Sequence, residues 1–211
     1  MIIALAIIGF VTIVAINGQT QFNRSLSVTD TAYTVALSVR QAQTFGLSSR
    51  TFGTSASNAG YGVHLTGTPP LKTYALFADV SKATYSVPSW CPVGTAGQPD
   101  AKIGNCMFDP GGSETVQNFS FGRGFTITNY CGHDMLGVSH CAKDAVPLTA
   151  LDVLFSRPNT DSIITGIVSG NALQLKDAQI ELTAQDGVGT RAICVTAVGE
   201  VSVASTMSVC P

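Results

Sequence analysis

Hydrophobic and polar positions divide the chain into two regimes. From Met1 to Ile16 (MIIALAIIGFVTIVAI) the sequence is apolar apart from Gly9 and Thr12, and no charge occurs before Arg24. After Asn17–Gly18 apolar residues continue at helical intervals. Phe22, Leu26, Tyr33 and Leu37 form one series, and Val28, Ala32, Val35, Val39 and Ala42 form a neighbouring stripe at steps of three and four. These spacings predict one long helix from Met1 to about Ser48. Gln19, Gln21, Asn23, Arg24, Asp30, Arg40, Gln41 and Gln43 lie between the stripes. The second half is therefore expected to be amphipathic, with one face needing a globular body to cover it. Gly46, Ser48–Ser49 and the Gly/Ser-rich TFGTSASNAG at 51–60 supply the stop.

Beyond residue 60 the apolar period shortens toward two. Tyr61–Leu65 and Lys72–Val80 read as strands separated by Thr66–Leu71, which predicts a hairpin. Val116–Tyr130 alternates around Gly122 and Gly124 and reads as one bent strand or two short ones. Leu148–Phe155 is another strand, closed by Arg157-Pro158-Asn159. The end adds Gln179–Thr183, Arg191–Val198 and Glu200–Ser205, with turns at Asp186–Gly189 and Val198–Gly199. Pro88–Ser113 has no usable period and is rich in Pro, Gly and Asp, which predicts a long surface excursion pinned by Cys91 and Cys106. The expected fold class is α+β: a long N-terminal helix (1–50) packed on a mainly antiparallel β-sheet body (51–211), the two forming one structural unit.

Composition narrows the setting. Of 211 residues only 11% are charged and 45% are apolar, and the mean hydropathy is +0.30, which excludes a disordered chain. Eleven Lys+Arg stand against 13 Asp+Glu, for a net charge of -2, with no basic run. No specific nucleic-acid partner is expected. Six cysteines in a chain with so little charge point to an exported domain whose thiols oxidise.

The residues from Met1 to Ile16 cover about 24 Å as a helix, short of the ~30 Å hydrocarbon core of a bilayer. A cleavable secretory signal does not fit, because no positive n-region precedes the apolar core and no A-x-A-like site follows it. A one-pass anchor fits better, yet the helical spacing runs on past Asn17–Gly18 where an anchor would give way to a linker. Gly9, Asn17 and Gly18 mark a weak stretch of helix. It either extends when packed between protein helices, or its glycines simply allow helices to approach closely.

With these features together the chain resembles the type IV pilin and pseudopilin superfamily. ALAIIGFVTIVA at 4–15 is similar to the family's apolar N-terminal core. YGVHL at 61–65 with YALFADVSKATYS at 74–86, and VLFSRPNTDSI at 153–163 with AICVTAVGEVSV at 192–203, look like the hairpin and final strands of minor type II secretion pseudopilins. The resemblance covers about two thirds of the chain. It implies a glutamate immediately before Met1, a basic leader removed by a prepilin peptidase, and N-terminal methylation, so the first residues of the mature N-terminus are expected to precede Met1. Asn17 stands where the family often has proline.

The resemblance further implies a structural subunit, not an enzyme, that waits in the inner membrane and is moved by the inner-membrane assembly machinery into an extracellular filament at the cell surface. Its partners would be lipid at first and then copies of itself in a helical homopolymer. Met1, Ile2, Ile3, Leu5, Ile7, Ile8, Gly9, Phe10, Val11, Ile13, Val14 and Ile16 would form the membrane segment and later the filament core, exchanging lipid for protein with little change in apolar burial. Two alternatives stand beside this: a minor or tip subunit binding a surface, a secreted substrate or DNA, and a membrane-anchored extracellular enzyme.

Six cysteines allow 15 pairings. Proximity favours Cys91–Cys106, Cys131–Cys141 and Cys194–Cys210. The cluster Cys131, His133, His140 and Cys141 has metal-ligand residue types, but its spacing matches no common zinc module and a disulfide loop is preferred. Nucleophile-elbow, P-loop and H-E-x-x-H motifs are absent, so no catalytic residue and no cofactor are expected. Asp109, Glu114, Asp134 and Asp144 read as solvated loop carboxylates. Asn118, in Asn118-Phe-Ser120, is the glycosylation candidate.

Overall fold

The computed structural model describes residues 2–48, 51–52, 59–81, 86–92, 104–111, 113–122, 124–184, 187 and 189–210. Before Ser25, the side chains described are those of Ile3, Gly9, Phe10, Thr12, Ile13, Gln19 and Asn23. The element α1 (Ile2–Leu47) is one uninterrupted helix. Gly9, Asn17 and Gly18 all lie inside it, so in the single chain this stretch is helical. Continuous i to i−4 bonding outweighs the glycine penalty of about 1 kcal/mol per site.

Among the described residues eleven strands follow, in two antiparallel sheets where the sequence pattern suggested one. The first sheet has the order β3-β2-β1-β6-β7-β8, formed by β1 (Gly60–Thr66), β2 (Thr73–Asp79), β3 (Thr115–Ser120), β6 (Leu148–Phe155), β7 (Ser162–Val168) and β8 (Asn171–Leu175). The second has the order β11-β10-β9-β4-β5, formed by β4 (Phe125–His133), β5 (Ser139–Cys141), β9 (Asp177–Ala184), β10 (Thr190–Thr196) and β11 (Val201–Ala204). The segment 116–130 is two strands, and the break around Gly122–Gly124 carries the chain from the edge of one sheet into the other. The expected 61–65/72–80 hairpin is the β1–β2 pair, with Val63 opposite Leu76.

The helix lies across both sheets. Val28, Ala32, Val35, Val39 and Ala42 are fully buried. From Ala32 onward these residues share one core with Val63, Leu76, Leu151, Val153 and Phe155 of the first sheet and with Ile127, Tyr130, Ile180, Ile193 and Val195 of the second. Polar contacts fix the helix along its length. Ser38 Oγ lies 2.9 Å from the Tyr74 hydroxyl, Arg40 donates to the Val201 carbonyl at 3.1 Å, and Gln43 donates to the Gly199 carbonyl at 3.2 Å.

Gly46 does not end the helix. It sits in the last turn, where a Cβ would fall on the carbonyl of Phe155. The glycine lets the helix end approach β6 closely. Overpacking of this kind costs about 1–3 kcal/mol, so Gly46→Ala is expected to lower unfolding free energy by that amount in denaturant titration. An unchanged midpoint would mean the helix end moves away freely.

Candidate functional site

Three regions of the described structure carry chemistry or exposed apolar surface. The first is the outer face of α1. At about 100° per residue, Leu26, Tyr33 and Leu37 fall on one line, roughly opposite the buried stripe rather than beside it. They are 52%, 55% and 61% exposed. The packed half of the helix is thus apolar on two opposite faces, and the sheets cover only one. A cleft of about 70 Å³ runs along the uncovered side, lined by Tyr33, Ala36, Leu37 and Arg40 from the helix and Val201, Ser202 and Val203 from edge strand β11. Large aligned apolar side chains left in water mark a contact surface more often than scattered single ones do.

Before Ser25 every described side chain is exposed, including Ile3, Phe10 and Ile13. Met1 and the side chains of Ile2, Leu5, Ile7, Ile8, Val11, Val14 and Ile16 lie outside the described residues. Among the described residues no helix is long and apolar enough to cross a membrane.

The second region is the stretch read from sequence as a surface excursion. Of its described residues, 88–92 lie mostly at the surface as expected, but 104–109 are largely buried as a strap over the face of the first sheet that points away from α1. Asn105, Cys106, Met107, Asp109 and Glu114 are buried, and Cys106 packs with Cys91, Phe77 and Leu154. The strap is irregular, so its amides have no ladder partners. Buried carboxylates supply them. Asp79 accepts from the amides of Asn105 and Cys106 at 2.9 and 2.8 Å, and Asp152 accepts from Phe108 at 3.1 Å. Glu114 accepts from Asp109, Val80 and Ser81 at 2.7, 2.8 and 2.6 Å. His64 Nδ1 lies 2.6 Å from the second oxygen of Asp152, with its ring against Phe108. Such charge-assisted bonds satisfy amide and carboxylate together, which is what makes their burial affordable. Asp109 and Glu114 are therefore clamps, not solvated loop acids. Asp79 and Asp152 were legible as anomalies, since an acid inside an apolar strand needs a partner.

The third region is the β4–β5 hairpin. All six cysteines are in disulfides, paired as proximity indicated: Cys91–Cys106, Cys131–Cys141 and Cys194–Cys210. A Cys/His nucleophile would lack its thiol. The histidines pair with acids instead, His133 Nδ1 with Asp177 at 2.8 Å and His140 Nε2 with Asp134 at 3.3 Å. Hydrogen bonds from the Val138 amide, His140 and the Leu136 amide hold the Asp134 carboxyl below the usual carboxylate range. Three disulfides point to an extracellular or periplasmic setting. Asn118 is exposed, on edge strand β3 rather than in a loop.

Comparison with family models, with curated proteins and with solved structures finds no match. Fold and surface therefore carry the functional reading.

Desolvation pushes the Glu114 carboxyl up to about 7, against the pull of its three amide donors. Because this folded-state value is above the unfolded one, the folded chain binds the extra proton. Stability from this group is present at low pH and is lost as pH rises from about 4.5 through 7. Comparing melting temperatures of the parent and Glu114→Gln from pH 5 to 8 isolates this slope: the parent should lose more stability than the variant. Parallel curves would show that Glu114 stays ionised throughout.

Proposed function

We propose that this chain is a structural subunit of a type IV pilus-like extracellular filament, held in the inner membrane by its N-terminal helix before assembly. The observation that supports this best is the second apolar stripe of α1. Leu26, Tyr33 and Leu37 run in line on the side the sheets leave open, and they lead toward a first half of helix whose described side chains meet no body. That first half adds roughly 35 Å of helix at 1.5 Å per residue. The α+β fold with one N-terminal helix on antiparallel sheets is consistent with a pilin-like architecture.

The physical route is simple. An apolar face of a helix is stable only when it is covered. The sheets bury one such face, and neighbouring copies would bury the other. Covering the half-exposed Leu26, Tyr33 and Leu37 contributes roughly 1 kcal/mol each, repeated at every subunit along the fibre. Before assembly the residues from Met1 to Ile16 would rest in lipid. In the filament they would contact the same segment of other copies, with Gly9 allowing close approach. The assembly machinery and prepilin peptidase enter as partners on this reading. Disulfides at the strap, the hairpin and the C-terminus suit a fibre exposed to proteases, and a loop of about 15 residues contributes ~3 kcal/mol in the chain-entropy model.

A minor or tip subunit is the second reading, favoured by the exposed apolar residues Met135, Leu136 and Val138 on the β4–β5 hairpin. Stoichiometry in purified fibres separates the two, since a main subunit dominates the preparation and a tip subunit is present in few copies. Assembly itself is tested by the double variant Leu26→Asp/Leu37→Asp. Surface substitutions of this kind alter stability by about 0.5 kcal/mol or less, so the single chain should melt as the parent does while surface fibres are lost. Fibres assembling at parental yield would refute the role of this stripe.

A further inference from the structure

One cleft in the body is built around a buried histidine whose second ring nitrogen is left unpaired. Across the first sheet the register sets Asn118, Ala75, His64 and Asp152 side by side on β3, β2, β1 and β6. Residues directly opposite one another share a face, here the one away from α1. His64 and Asp152 are 8% and 2% exposed. His64 Nδ1 lies 2.6 Å from Asp152 Oδ1, and the other carboxylate oxygen accepts from the Phe108 amide at 3.1 Å. The Phe108 ring lies against the imidazole, with centroids 4.3 Å apart. Asp152 and Phe108 together fix the position and tilt of the imidazole before any ligand arrives, which lowers the ordering cost of binding.

Held through Nδ1 toward β6, the ring turns Nε2 the other way, toward β2 and β3. Ala75 stands there, and its single methyl group leaves the space above it open. The result is a cleft of about 200 Å³. His64 and Ala75 are buried at its floor, while Thr66, Thr73, Thr115 and Asn118 are exposed around its rim. Phe108 supplies an aromatic wall. Among the described residues His64 Nε2 has no hydrogen-bond partner, and neither have the side chains of Thr73, Thr115 and Asn118.

These groups select the chemistry of an occupant. With Nδ1–H donating to Asp152, the neutral imidazole presents a lone pair at Nε2, which calls for a donor. A carboxylate brings none, and no Lys or Arg lines the cleft among the described residues to hold an anion. An ammonium group would call for a carboxylate, and both oxygens of Asp152 are already engaged. A hydroxyl meets both demands, donating to Nε2 while accepting from a threonine hydroxyl or the Asn118 amide. Several hydroxyls around an apolar ring face match a polar rim set beside Ala75 and Phe108. The volume is below the range of about 300–1,000 Å³ that holds drug-sized ligands, so it suits one sugar ring.

We propose that this cleft binds a single neutral pyranose unit, with one hydroxyl donating to His64 Nε2, others on the Asn118 and Thr73 side chains, and the C–H face against Ala75 and Phe108. The cleft lies on the side of the first sheet away from α1, and its proposed role does not depend on filament assembly.

The test uses the full chain with isotope-labelled histidine, kept in dodecylphosphocholine because that detergent carries no sugar. The imidazole nitrogens are followed by NMR at constant neutral pH, and His64→Gln identifies the His64 signals among those of His133 and His140. Methyl β-D-glucopyranoside, methyl α-D-mannopyranoside and methyl β-D-galactopyranoside are added separately, with acetate as the anionic control. At least one glycoside should move the His64 Nε2 signal saturably, with a Kd on the order of 1 mM, while His133, His140 and the acetate titration show no such change. Asn118→Ala, at an exposed edge position, should weaken that titration about fivefold, the loss of one hydrogen bond. No saturable shift with any of the three glycosides would overturn the proposal. A response to acetate in their place would mark an anion site and overturn it equally, and an unchanged Kd in Asn118→Ala would overturn the placement of the sugar at the rim.

Discussion

Burial of one face of a single long helix against two sheets at once is the contact on which the rest of the body depends. Val35, Val39 and Ala42 lie where residues of both sheets converge. Remove that stripe and the sheets lose the layer that closes their shared core. The same helix carries a second apolar line on its opposite side, which no element among the described residues covers. A stable fold and an unfinished surface therefore arise from one sequence pattern, and the proposed assembly role lies in the difference between them.

The opposite face of the first sheet is closed in another way. Among the described residues an irregular strap covers it, which raises the problem of its unpaired amides. Asp79, Asp152 and Glu114 answer it by meeting those amides with carboxylate oxygens, while the Cys91–Cys106 bridge fixes the strap's course. This arrangement makes strands β1, β2 and β6 buried on both faces. It explains why their sequences read as nearly continuous apolar runs with isolated polar insertions such as His64, Asp79 and Asp152.

Much of this was legible in the residues. The 3.6 period over α1 located the helix and its buried stripe, because every turn repeats the same demand for cover. Strands β1, β2, β6, β9, β10 and β11 followed from alternation and turn residues, and the three disulfides from proximity. The misses have physical reasons. Strands β7 and β8 carry SIITGIV and NALQL, whose burial does not alternate: β7 is buried at nearly every position and β8 is half-buried along most of its length. The second stripe of α1 reads as adjacent to the first in residue steps, and only the turn of about 100° per residue puts it on the opposite side. The strap at 104–109 reads as exposed because Pro, Gly and Asp mark loops, and local composition does not reveal that acids elsewhere in the chain will pair with its amides.

The central claim is that Leu26, Tyr33 and Leu37 face solvent in the lone chain and other copies of the chain in the fibre. Hydroxyl-radical footprinting of purified fibres against the dispersed subunit measures this directly at each side chain. The account predicts strong protection of all three in fibres, with the buried Val35 and Val39 unreactive in both states. Equal labelling of Tyr33 and Leu37 in the two samples would contradict it.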